Sequence, residues 1–188
     1  RSEGCLGFGG GSRGAPLAAL VGARTQEVHL TPSHVASLHA AVTAVAPARR
    51  RVGRGVVASA VERAAVLAAA RHVAGDDGVT LVPTDQLGRV DALAMADAVA
   101  QPGVGLACLQ HANGEVGTVQ PLAAVHEAAR AARVPLLVDA GASLGHAQVP
   151  STWDVLAADP ADWGAPRGVG LLVVRQGVRV AQSGPEDA

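Results

Sequence analysis

Short runs of valine, leucine and isoleucine-sized residues alternate with alanine-rich helical segments, and this order predicts a three-layer α/β/α sandwich around a mostly parallel sheet. Two further observations support it. The connections between runs are short and hold the Pro and Gly residues, as they do when successive strands are joined by crossover helices. One apolar run, residues 134–138, ends in Asp139, and a carboxylate at the carboxyl tip of a strand is where open α/β sheets build their sites.

In chain order, residues 1–14, RSEGCLGFGGGSRG, read as a flexible glycine-rich leader, because no strand precedes the glycines as a phosphate loop would need. Residues 15–23 have the spacing of a short helix, and residues 27–30 are a brief extended segment. Thr31 and Pro32 predict a helix start, with a capping hydroxyl followed by proline at the first helical position, and the helix is expected to reach about Val45. Residues 55–59 read as a strand, 61–74 as a helix, 76–78 as a turn and 79–82 as a strand. Asp91 caps a helix reaching about Ala100, and residues 104–109 form the next strand. Pro121 opens a helix to about Arg133, apolar at Leu122, Val125, Ala128, Ala129 and Ala132. Three apolar runs follow, at 134–138, 155–158 and 169–174. The turn at 159–168, DPADWGAPRG, is too rich in Pro and Gly for a helix interior.

At 188 residues the chain is long enough for one domain with a proper core and too short for two. Aromatic residues make up only 2% of it, so that core must be built from small aliphatic side chains. A net charge of −1 gives no general attraction to nucleic acid or to an anionic membrane, and no apolar span approaches the length of a membrane helix. Every one of the 15 basic residues is an arginine. The run from Arg49 to Arg54 reads as a solvated connection between helix and strand. Cys108 sits in an apolar strand as a small hydrophobe, and Cys5 in the leader is a flexible thiol, so the pair forms no disulfide framework. No metal-ligand spacing stands out, and the cytoplasm is the expected location. A dinucleotide-binding domain is disfavoured because no Gly-x-Gly-x-x-Gly lies between a strand and a helix. The first residue is Arg1, not Met, so something upstream is expected to have been removed or left out of this sequence.

The most specific stretch is Gln110-His111-Ala112-Asn113-Gly114-Glu115-Val116-Gly117-Thr118-Val119-Gln120-Pro121, together with the later order of strand, Asp139, strand, polar turn, Gly-Pro turn, strand. These motifs, with Gly88-Arg89-Val90-Asp91 ahead of a helix, resemble the large domain of cysteine desulfurases, pyridoxal-phosphate (PLP) enzymes of the class V aminotransferase group. The resemblance runs over roughly residues 27–180. It implies a division into a leader and short helix (1–26), a desulfurase-like large domain (27–180) and a polar tail (181–188). The family's smaller C-terminal domain, with its mobile cysteine loop, has no counterpart here.

The resemblance also implies roles. In the family the residue at Asp139 pairs with the protonated pyridine nitrogen, the turn after the first strand cradles the cofactor phosphate, and a lysine holds the cofactor as a Schiff base. Here Val35 stands at the phosphate-gripping threonine, with His34 as a possible positive neighbour. Arg63 replaces the histidine that stacks on the ring, Gly114 replaces an asparagine after Asn113, and Ala142 replaces a glutamine. Asp159, Ala161 and Asp162 fall at the Ser, His and Lys of the lysine turn. A carboxylate cannot form an imine, and the chain has no lysine at all.

The expected pocket is therefore a remnant formed by His34, Arg63, His111, Asn113 and Asp139, without a covalently held cofactor; PLP or pyridoxamine phosphate could enter only non-covalently. If Asp139 and Asp162 lie close together, one is expected to be protonated, or to share a cation with the other. The resemblance points to a non-catalytic domain that acts by dimerisation or by binding a ligand or partner, as a homodimer or with a desulfurase paralogue. The other reading is an enzyme, either PLP-dependent with a lysine from a partner chain or running lysine-independent chemistry on Asp139, Asp162 and His111.

Overall fold

The computed structural model describes residues 15–181. The leader, with Cys5, and the polar tail from Gln182 lie outside the described residues. Seven strands form the main sheet in the order β1-β9-β8-β7-β4-β2-β3, and six of them run in one direction while β9 runs against its neighbours. Their ranges are β1 Val28–Thr31, β2 Gly55–Ser59, β3 Val79–Val82, β4 Val104–Gln110, β7 Leu136–Asp139, β8 Val155–Ala158 and β9 Gly170–Val174. A small hairpin, β5 Ala112–Asn113 with β6 Thr118–Val119, leaves the end of β4.

The two faces of the sheet are built by alternation along each strand. Val57, Ala107, Leu109, Leu136, Val138 and Leu156 point to one side, where they meet α1 (Ala15–Leu20), α4 (Ala92–Val99) and α5 (Leu122–Ala132). Val56, Ala58, Leu106, Cys108, Leu137 and Val155 point to the other, against α2 (His34–Ala48) and α3 (Ala64–Ala74). Strands buried on both faces explain why the sequence reads as continuous apolar runs there instead of alternating polar and apolar residues. The core is aliphatic, as the composition requires, with Met95 among its largest fully buried side chains.

Two helix starts lie further along the chain than the sequence predicts. Thr31 remains in β1, because a residue before proline is held extended, and Ser33 becomes the cap of α2 by accepting from Ala36 N at 3.1 Å. The Thr31 hydroxyl instead donates to Ser33 O. α2 then continues past Val45 to Ala48 with Pro47 inside its last turn. α3 begins at Ala64, leaving Glu62 and Arg63 in the turn between β2 and the helix. That shift places both residues at the carboxyl edge of the sheet. Asp91 caps α4 as expected, accepting from Leu93 N and Ala94 N.

Chain order reverses across β2, since β3 lies on one side of it and β4 on the other. Open sheets place their crevices at such a switch point, beyond the carboxyl ends of the strands. The turn after β2 and the carboxyl tips of β4 and β7 meet there.

Candidate functional site

The site is organised by Asp139, the last residue of β7 and only 3% exposed. A buried carboxylate needs donors and a compensating charge, and this chain supplies both. Oδ1 accepts from Gly141 N at 2.8 Å and has His34 Nε2 at 2.9 Å, although that ring nitrogen is not aligned for a hydrogen bond. Oδ2 accepts from Arg63 Nε at 3.0 Å. His34 comes within reach because residue 141 is glycine: a Cβ there would stand 2.2 Å from His34 Cε1.

Arg63 therefore does not project into solvent or stand ready as a stacking platform. Its guanidinium is spent on Asp139. The carboxylate pair expected from the sequence is resolved the same way: Asp139 finds its positive charge on Arg63. Asp162 sits in the 3-10 turn Pro160–Trp163 across the cavity, where its backbone oxygen contacts His146 Nε2 at 2.9 Å. A cavity of about 750 Å³ lies between these elements, lined by Arg63, Asp139, Asn113, Gly114, Ala142 and Asp162 among others. Gly114 and Ala142 present it with no side-chain donor.

The other residues singled out from the sequence divide between wall and turn. His111 is buried behind the cavity, its Nδ1 2.9 Å from Ser143 Oγ, and burial lowers its pKa so that the neutral ring is favoured. Asn113 is used locally: its Oδ1 accepts from Glu115 N and Val116 N and holds the hairpin turn. Gln120, kept in the same motif, donates to Gly88 O and accepts from Val90 N, tying the hairpin to the segment before α4. His34 faces a second, adjoining cavity of about 420 Å³ that also touches Asp162 and Arg167.

Glu62 was the residue least legible in the sequence, where its place near a helix start is explained by the helix dipole. In the fold it is buried, with Oε1 accepting from Ser59 Oγ and from Gln110 N, each at 2.7 Å, while Oε2 has no hydrogen-bond partner among the described residues. Desolvation raises its pKa to about 7, the nearby Asp139 charge adds to the rise, and the Ser59 and Gln110 hydrogen bonds and Arg63 oppose it.

A mostly parallel α/β domain with a carboxylate at the switch-point edge defines a class, the large-domain sandwich of the PLP-transferase fold, and comparison with known proteins makes it specific. The family model for Aminotransferase class-V matches residues 15–184, and the chain belongs to that family as a cysteine desulfurase-like domain. Cysteine desulfurase IscS 1 of Archaeoglobus fulgidus is 32% identical over 168 residues, covering 87% of this chain and 44% of that protein. Cysteine desulfurase IscS of Methanosarcina thermophila is 28% identical, covering 85% of this chain and 40% of its own length. Among solved structures, DndA from Streptomyces lividans aligns with a TM-score of 0.78 at 30% identity, over 90% of this chain and 49% of that one. A NifS-like protein aligns at 0.82 with 24% identity, which speaks for the fold alone. The chain thus spans less than half the length of these curated relatives.

Proposed function

We propose that this chain is a non-catalytic, cysteine desulfurase-like domain that works by association, with a second copy of itself or with a complete desulfurase. The observation that carries the reading is the engagement of both Asp139 oxygens by the chain's own groups, Arg63 on Oδ2 and Gly141 N with His34 on Oδ1. In the family that this chain resembles, the same carboxylate meets a pyridine nitrogen. Here the approach is occupied, and a ligand ring would have to displace a guanidinium.

The residues present do not fit PLP held as an imine. No lysine exists to form the bond, the wall positions Gly114 and Ala142 carry no side-chain hydrogen-bond donor, and Asp162 adds negative charge across the cavity. No catalytic step through that cofactor is derived for this chain. Association is supported by apolar side chains left at the surface around the β5–β6 hairpin. Leu87 is 71% and Val116 60% exposed, and they flank Gly88, where a Cβ would lie 3.1 Å from Val116 Cγ2.

Size-exclusion chromatography with light scattering, on the chain alone and mixed with a complete desulfurase, tests association: a dimer mass or a shared peak is expected. A strictly monomeric chain in both runs contradicts it. Release of sulfide from cysteine by the chain with added PLP contradicts the non-catalytic reading.

A further inference from the structure

The near-neutral net charge conceals a segregation. At the opposite end of the sheet from Asp139, an open cleft of about 980 Å³ is lined by Arg49, Arg130, Arg133, Arg175 and Arg179, with Asp154 its sole acidic residue. These arginines come from the end of α2, the end of α5 and the segment after β9, so the fold assembles them from places far apart in the sequence. We propose that this cleft binds a small polyanion carrying at least two phosphate-type groups.

The alternative is that the arginines answer charges of the protein itself. The carboxyl ends of α2 and α5 lie here, and each helix terminus is equivalent to about half a negative charge. Asp154 takes one charge, and Glu27 takes Arg175, whose Nη1 lies 3.5 Å from Glu27 Oε2 while its guanidinium covers Trp153 at 3.8 Å. Even with all of these granted, about two positive charges remain unmatched in the cleft. Arg130, Arg133 and Arg179 make no ion pair or side-chain hydrogen bond among the described residues. Arg49 gives Nη2 to Arg133 O at 2.5 Å but leaves its buried Nε without a partner.

The backbone adds an independent sign. Arg133 ends α5 in the left-handed region at φ 57°, and it is the only non-glycine with positive φ among the described residues. Glycine is the ordinary choice at that position. Keeping arginine there costs stability and places a guanidinium on the rim of the cleft. Guanidinium forks match phosphate oxygens in pairs, and the volume falls in the range of small-ligand sites, roughly 300–1,000 Å³. Trp153 lies beneath Arg175, which leaves no aromatic shelf for stacked bases, so the features favour a small ligand over a nucleic-acid strand.

Isothermal titration calorimetry with inorganic tripolyphosphate tests the assignment. One equivalent should bind the intact chain at low salt. The pair Arg130→Gln with Arg179→Gln, and separately Arg133→Gly, which relaxes the backbone and so keeps the fold, should each weaken binding about tenfold or more. The control pair Arg71→Gln with Arg89→Gln changes net charge equally and should alter affinity less than about twofold. Absence of binding, or equal losses in the control, overturns the proposal. Preferential binding of a single-stranded oligonucleotide overturns it in favour of nucleic acid.

Discussion

Arg63 Nε donates to Asp139 Oδ2 across 3.0 Å, joining the turn after β2 to the tip of β7. The carboxylate is 3% exposed and the guanidinium 47%, so the pair is half buried, with the buried half on the acid. Removing a partner from such a pair leaves an uncompensated carboxylate inside the protein. Arg63→Ala should therefore destabilise the fold by about 1–3 kcal/mol, less than for a fully buried pair because water reaches the guanidinium side. Urea denaturation of the variant at neutral pH measures the loss, and an unchanged midpoint would show that the contact carries no energy.

Glu62 makes stability depend on pH in the neutral range. Its pKa in the fold is about 7 against 4.5 for an ordinary glutamate, so the folded state holds a proton that the unfolded chain has already released. The stability tied to that proton is full below about 4.5 and is lost as pH rises through about 7. The total is on the order of 3 kcal/mol. Glu62→Gln should flatten this slope and leave the variant more stable than the parent at pH 8, as read by denaturant midpoints at pH 5 and pH 8.

Gly141 is a spacing residue. Alanine there would put its Cβ 2.2 Å from His34 Cε1 and 3.0 Å from Asp139 Oδ1, so the imidazole must leave or the β7 turn must shift. Gly141→Ala should cost about 1–3 kcal/mol through overpacking. The chemical shifts of His34 ring protons should move while those of His126, near Asp154 on the other end of the sheet, stay in place.

Arg133→Gly should raise stability by about 1 kcal/mol, because the left-handed backbone at the end of α5 suits glycine better than any residue with a Cβ. Thermal melting of the variant checks it, and a lower melting temperature would mean that the arginine side chain has packing value not evident in its surroundings.

Much of this was legible in the residues before any coordinates. The runs at 55–59, 79–82 and 155–158 are strands within those bounds, and Asp139 does stand at the sheet edge, because buried parallel strands leave an unmistakable apolar signature. Partners were harder to read. Nothing in Val61-Glu62-Arg63 distinguishes a solvated turn from one whose carboxylate goes under the sheet edge and whose arginine reaches a strand 76 positions later. The delayed start of α3 decides it, and helix starts are set by local competition among caps. Gly141 carried no signal in the sequence, since its role exists only where His34 crosses it. The arginine cleft was invisible for the same reason: Arg49 reads as part of a solvated connection until the ends of α2 and α5 come together.

The central claim is that Arg63 and His34 hold the carboxylate that would otherwise face a pyridine ring. Equilibrium dialysis with pyridoxamine phosphate, which needs no lysine, tests it most directly on the parent chain. The account predicts no stoichiometric binding; one equivalent bound tightly by the parent, and lost on Asp139→Asn, would contradict it.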